Sequence, residues 1–470
     1  TAGGGGAAGG GGAAGAGGST NVTLSLQAPR PGQIVTARRA WVRGVIEGGA
    51  GVTGLTYQVN GGGEVPVALD PSAGGAFGFS VALAAGANEI VVRAGATEAR
   101  RSISFSSRTT AGGLHTGALR SAGVYAWGRN NRGQVGLGPG VTDDQYAPAL
   151  VPASGDVGWL WFSQNSSLAV GRDGSLWAWG ENDDGQLGLG TEATPDFTPR
   201  SSPTSVAGLG DVVAAALGFG HGLALRADGT LVAFGADNNG QLGDGEPGAD
   251  RSVPAPVVDL TEVIKVVGGS QHSIALRADG TVWAWGRNSF GNLGIGSFDA
   301  DPHPRPGAVP GLEGVVDVAT GRDHVLALRA DGTVWAWGLN QSGQLGDGTS
   351  GDTDRASPAQ VAGLSDVVAV HANGNVSFAL KADGSLWGWG QNFNGQLGLG
   401  ETGNDKSTPT QAVLGLTDVV GVGLGPTHVI AERGDGALFV WGWSSRGSLG
   451  GADLLQNWSY PEPIALPLAP

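Results

Sequence analysis

The sequence contains no cysteine and no methionine. Without thiols the chain has no disulfide, no thiolate nucleophile and no cysteine-ligated metal. Lysine is scarce as well: Lys265, Lys381 and Lys406 are the only three. The formal net charge is -15. Nucleic-acid binding requires a basic footprint, so no nucleic-acid partner is expected. No apolar run approaches the ~20 residues of a membrane-spanning helix. A chain that opens Thr-Ala-Gly without methionine reads as processed after removal of a signal peptide. An extracellular or bacterial cell-surface location is therefore expected, where an acidic surface favours solubility.

Glycine, in contrast, is abundant, with 89 residues. Many of these glycines punctuate a segment that recurs seven times. It reads YAWGRNNRGQVGLG from Tyr125, LWAWGENDDGQLGLG from Leu176 and LVAFGADNNGQLGDG from Leu231. It returns from Val282, Val334, Leu386 and Leu438. The glycine after the aromatic stands at 128, 180, 235, 286, 338, 390 and 442, at spacings of 52, 55, 51, 52, 52 and 52 residues. A fixed period of this size indicates a solenoid or a propeller.

Three segments follow from composition. Residues 1–19 are almost wholly Gly and Ala. Such a tract buries too little apolar surface to offset its chain entropy and reads as a tether or an inter-subunit connector. It resembles the spacer of bacterial lipoproteins, but the lipidated cysteine is missing. A membrane tether is expected only through such a lost N-terminal residue. Residues 20–107 hold short alternating runs such as WVRGVIEG, TYQVNGG and NEIVVRAG, separated by turn residues. That spacing predicts an antiparallel β-sandwich. The order of these runs resembles bacterial immunoglobulin-like domains, which implies a spacer module.

Residues 108–470 hold the repeats, and each unit reads as four strands. The Asp-Gly pairs at Asp173, Asp228, Asp279, Asp331, Asp383 and Asp435 predict type I′ hairpins between the second and third strands. Seven such units closing on themselves make a seven-bladed propeller. The expected fold is thus all-β: a propeller preceded by the sandwich and the Gly/Ala tail. The elements G-x-x-H, ALRADG, W-x-W-G-x-N-x-x-G-Q-L-G and P-x-x-V strongly resemble the regulator-of-chromosome-condensation repeat family. The resemblance implies the seven-bladed ring but no single activity, because function resides in sites placed on folds. The segment before His115, SSRTTAGGL, is a poor copy of the usual first strand.

Five of the seven histidines share one repeat position: His115, His221, His272, His324 and His428. Catalysis needs one copy, whereas blade packing needs one per blade. These histidines are expected to tie adjacent strands. Aspartates after each G-Q-L-G read as turn caps, and no complete calcium-loop pattern occurs. No cofactor, metal or catalytic residue is expected, and the chain reads as a non-enzyme.

Departures from the repeat carry the functional signal. Alternation places Val213, Ile264, Val316, Val368 and Val420 on a buried face of each first strand. The opposite face carries Lys265, Asp317 and His371 and is expected to line a wet central shaft. These three come from different blades and form no evident constellation. Blade 2 puts Trp159 and Trp161 at the shaft positions, as a plug or an aromatic binding surface. Trp443 departs from the repeat in blade 7, with Trp458 and Tyr460 beyond it, where the ring must be sealed. Trp159, Trp161, His371 and Trp443 are the candidate binding residues. Pairs such as Trp283 and Trp285 recur and read as core. The expected role is an extracytoplasmic scaffold, at a cell surface or in filaments, whose partner is a protein, including other copies of itself. The alternative is a secreted or lipid-anchored propeller that inhibits an enzyme or captures a ligand.

Overall fold

A computed structural model describes residues 22–28, 34–35, 39–47, 54–67, 76–82, 86–105, 109–152, 154, 156–411, 416–451 and 456–466. The Gly/Ala segment 1–19 lies outside the described residues. Every regular element among the described residues is a strand.

The N-terminal part contributes eight strands: β1 (Thr23–Ala28), β2 (Ile34–Val35), β3 (Arg39–Glu47), β4 (Leu55–Val59), β5 (Val65–Val67), β6 (Ala76–Ala82), β7 (Gly86–Ala94) and β8 (Thr97–Phe105). They form two sheets, ordered β1-β3-β6 and β2-β8-β7-β4-β5. All pairings are antiparallel except that of β2 with β8. Strand β7 shows the alternation in part: Ile90, Val92 and Ala94 are buried, whereas on the other face Glu89 is exposed and Arg93 reaches Glu64 and Glu98, although Val91 between them is buried too. One apolar cluster joins Leu26, Val42, Leu55, Phe77 and Ile90 of these sheets with Trp159, Leu168 and Phe234 of blades 2 and 3. Strand β3 touches the first strand of blade 4, and β2 touches that of blade 6. The N-terminal sheets thus meet the ring at its inner strands.

Seven four-stranded antiparallel sheets follow. Their innermost strands are Thr109–Ala111, Val157–Phe162, Val212–Leu217, Val263–Gly268, Val315–Thr320, Val367–Asn373 and Val419–Leu424. Each lies beside the next, and the seventh lies beside the first, so the ring is closed. The poor copy before His115 still supplies a strand, shortened to three residues. Blade 1 spans 109–150 and blade 7 spans 419–464, so closure occurs without a strand crossing from one end of the ring to the other.

Side chains close that seam. Trp127 Nε1 donates to Ser448 O at 3.1 Å, and Thr116 Oγ1 meets both Ser448 O and His428 Nε2. Arg446 pairs with Asp144 and Arg120 with Glu432. Trp458 packs on the apolar cluster shared by blades 7 and 1, in the sealing role expected of it.

The structure corrects three local expectations. The Asp-Gly turns are not type I′, because only the glycine has positive φ, as at Gly280 (81°). Gly280 N–H returns to Arg277 O, and Arg277 N–H bonds Thr281 O. This is a type I turn followed by a left-handed glycine, the three-residue hairpin with a G1 bulge. The aspartate caps the turn instead: Asp279 Oδ1 accepts from both the N–H and the hydroxyl of Thr281.

The second correction concerns the first strands. Each of blades 2 to 7 carries a bulge after its first residue, as between Val263 and Lys265. A bulge inserts a residue and flips the alternation beyond it. Val213, Ile264, Val316 and Val420 are therefore half-buried, while Ala214, Asp317, Ala369 and Gly421 are buried; Val368 is buried and Lys265 half-buried, as alternation expected. Third, only the second tryptophan of W-x-W is core. Trp285 is fully buried, but Trp283 is half-exposed under the Arg277 guanidinium, 5.7 Å from its ring.

The asparagine of W-G-x-N staples the loop that follows it. Asn130, Asn182, Asn288, Asn340 and Asn392 are buried. Each accepts the amide of the residue five positions on and donates its own amide to a loop carbonyl, as Asn392 does to Leu397 N–H and Glu401 O.

Candidate functional site at the shaft

The recurring histidines link blades rather than strands within a blade. His115 Nε2 reaches Ser167 Oγ of the next blade at 3.2 Å, His221 reaches Ser273 at 3.0 Å, His324 reaches Ser377 at 2.9 Å and His428 reaches Thr116 at 2.8 Å. In blade 5 the receiving position is Val325, and His272 turns to Thr320 Oγ1 at 2.9 Å. All five rings are fully buried. Burial pulls their pKa down, to about 3 for the first four in chain order and about 4 for His428. They are neutral structural pins at physiological pH.

The glycine of G-x-x-H exists to seat that ring. A Cβ on Gly321 would lie 2.2 Å from His324 Cε1 and 2.6 Å from Gly374 O. Blades 2 and 6 have Ser166 and Val376 in place of histidine, and in both the glycine is replaced, by Ser163 and Asn373. Those side chains supply the missing link. Ser163 Oγ donates to Gly218 O and Asn373 Nδ2 to Leu424 O, both at 2.7 Å. The next blades there carry Gly222 and Val429 instead of a hydroxyl residue. Repeated residues are thus spent on holding the ring, and single-copy residues remain for function.

Several single-copy residues meet in one cavity along the shaft that is open to solvent. Its wall comes from the inner strands of six blades and includes Thr110, Trp161, Lys265, Val318, His371 and Leu424. Sequence reasoning found no constellation among Lys265, Asp317 and His371, and here the structure corrects it. Lys265 Nζ donates to Asp317 Oδ1 at 2.6 Å, within a site where both side chains are largely buried. Asp317 also accepts the amides of Val318 and Val370. His371 lies near enough to Lys265 for the ammonium to add to the effect of burial, and its pKa falls to about 3. The available signal was register: Lys265 and Asp317 are 52 residues apart, one repeat, and so face each other across adjacent blades.

The remaining candidates separate. Trp161 lines the cavity, and Trp159 stacks on it with ring centroids 5.7 Å apart and planes 17° apart. Trp159 is only 2% exposed and belongs to the cluster shared with the N-terminal sheets, so it supports Trp161 and offers no surface of its own. Trp443 is half-buried on the third strand of blade 7, paired in register with Asn457, and does not line the cavity. The aspartates after G-Q-L-G cap turns or pair with arginines, as Asp347 does with Thr349 and Arg355. Among the described residues no group of three or more acidic or histidine side chains gathers to hold a metal.

Comparison with known proteins agrees with this architecture. The RCC1-like domain family matches residues 209–468, and the regulator of chromosome condensation (RCC1) repeat matches 121–164 and 173–225. The Ultraviolet-B receptor UVR8 of Arabidopsis thaliana is 31% identical over 350 residues, which take in 73% of this chain and 78% of UVR8. The E3 ubiquitin-protein ligase HERC2 of Homo sapiens is 32% identical over 344 residues, 70% of this chain but 7% of HERC2, so the similarity spans a small part of that ligase. Among solved structures, yeast RCC1 (Prp20) bound to Kap60 superposes with a TM-score of 0.65 at 22% identity, covering 76% of this chain and 85% of that one. Human WBSCR16 gives a TM-score of 0.64 at 24% identity, covering 74% and 95%. The repeats, the closed ring of blades and these matches agree: the chain belongs to the RCC1-like propeller family.

Proposed function

We propose that the chain is a non-enzymatic binding scaffold that works outside the cytoplasm and docks a protein partner at the mouth of its shaft. The observation that carries this reading is the division of labour in the ring. The recurrent histidines are consumed by inter-blade links, whereas the single-copy Trp161, Lys265 and His371 line one cavity, with Asp317 paired to Lys265. The cavity's charges suit binding more than proton transfer. Lys265 and Asp317 neutralise each other, and His371 titrates far below physiological pH.

The N-terminal sheets read as an immunoglobulin-like spacer, supported by their strand order. In the usual lettering β1-β3-β6 corresponds to A-B-E and β8-β7-β4 to G-F-C. The Gly/Ala segment completes the scaffold as tether or connector to other copies.

A photo-crosslinking residue tests the docking face. It is placed at half-exposed Phe219, in the turn after the inner strand of blade 3, and separately at Asp331, in the turns at the opposite end of the ring. A partner crosslinked from 219 and not from 331 supports the reading, and the reverse overturns it. The connector role has its own test. Electron microscopy and light scattering compare the full chain with one lacking residues 1–19. Ordered polymers lost on truncation support it, and monomers in both leave a tethered binding propeller.

A further inference from the structure

The polar groups of the shaft are unevenly satisfied. Asp317 is complete, with Lys265 and two backbone amides bound. Lys265 is not: its ammonium has three protons, and Asp317 takes one. No other described group takes the remaining two. His371 Nε2 is shut off from solvent and has no hydrogen-bond partner. A neutral imidazole offers one donor and one acceptor nitrogen. An unpaired buried polar atom is costly, and a ligand that pairs it recovers that cost.

The occupant that suits this pair must accept from an ammonium and donate to an imidazole. A hydroxyl does both. A carboxylate accepts only, and it would also face the Asp317 charge. Beside them the wall presents Val267, Val318, Val370, Val422 and Leu424, with Trp161 across the shaft, while Thr110, Thr320 and Asn373 add polar groups to it. An apolar body with a hydroxyl tip matches that lining, and an aromatic body adds ring contact with Trp161.

Resting on the docking reading above, we propose that the shaft cavity is an anchor pocket for one phenolic side chain, a tyrosine of the partner protein. Its ring lies among the valines and Trp161, and its hydroxyl accepts from Lys265 and, once the imidazole turns its Nε2 into the cavity, donates to His371. Such a buried amphipathic aromatic is the usual form of an interface hot spot.

Three small probes test the pocket on the full chain by saturation-transfer NMR and calorimetry: p-cresol, its methyl ether and toluene. The phenol should bind at least ~10-fold more tightly than either of the others, because the ether cannot donate and toluene does neither. His371→Phe should erase the preference for p-cresol over its ether while toluene binding stays within about twofold. Ala319→Leu should block all three by filling the shaft beside the cavity. If that variant melts earlier than wild type, His371→Phe decides alone. Equal binding of p-cresol and its ether, or a preference that survives His371→Phe, overturns the proposal. A partner crosslinked from position 219 with no p-cresol binding would refute the anchor while leaving the docking face standing.

Discussion

Blade 3 carries an aspartate, Asp237, where five other blades carry the loop-stapling asparagine. Its Oδ1 still accepts the Leu242 amide, but an ionised carboxylate has no proton for the loop. The side chain is buried, and burial, together with Asp244 and Asp250, raises its pKa to about 6 against the Leu242 bond and Arg251. The sign follows from linkage. The folded state takes up a proton as pH falls through about 6, whereas the unfolded chain waits until roughly 3.8. Stability therefore rises on acidification through that window, and the penalty is fully present above it. A gap of about two pKa units corresponds to about 3 kcal/mol at pH 7.5.

Asp237→Asn should remove that penalty and restore an amide donor to the loop. Urea unfolding followed by tryptophan fluorescence should show the variant more stable by ~1–3 kcal/mol at pH 7.5. The gap should shrink by pH 5 and close near pH 4. A variant no more stable than wild type at pH 7.5, or a gap that widens on acidification, would refute the assignment of Asp237 as a strained carboxylate.

The five inter-blade histidines predict the opposite trend for the whole ring. Their folded pKa values lie near 3–4, so their contribution is complete above about 6.5 and is lost as pH falls toward 3. Each loses about 2 kcal/mol by pH 5. Together that rivals a typical domain's stability, and a urea midpoint unchanged between pH 7 and 4.5 would be incompatible with it. Gly321→Ala must push a methyl into the His324 ring and should cost ~1–3 kcal/mol, as read by thermal melting. Ser163→Ala, at the equivalent site in blade 2, should cost only the ~1 kcal/mol of its hydrogen bond. Restoring the standard link in blade 6 with Asn373→Gly, Val376→His and Val429→Ser together should be tolerated, whereas Val376→His alone should lower the melting temperature, because Asn373 blocks the ring's seat.

The ring was legible because most repeats announce themselves with residues that only one geometry uses: the glycine that seats an imidazole, the tryptophan after it and the asparagine staple. The cost of that legibility was overreach at fine scale. Alternation misplaced Ile264 and Val316 because a bulge leaves no mark of its own in the sequence. The Asp-Gly pairs suggested the wrong turn because side-chain capping by Asp279 and its equivalents competes with backbone preference. Trp161 and His371 stood out as departures, but the Lys265–Asp317 pair did not. Each of these residues is ordinary alone, and only the ring brings residues one period apart face to face. The link between Ser163 or Asn373 and the missing histidines was present in the sequence, as S-x-x-S and N-x-x-V in place of G-x-x-H.

Since closure occurs between two complete blades, the seam joining blade 7 to blade 1 is built like its neighbours, with a histidine–hydroxyl pair and an indole–carbonyl bond. The order in which the blades are encoded is therefore not written into the ring. A permuted gene that starts at any other blade boundary, with a short linker across the present closure, should give the same object. A lineage could likewise rotate or exchange whole blades without reworking a sheet. What cannot move is the run of blades 4, 5 and 6, because Lys265, Asp317 and His371 meet only while those three remain consecutive, and blades 2 and 3, whose Trp159, Leu168 and Phe234 carry the N-terminal sheets.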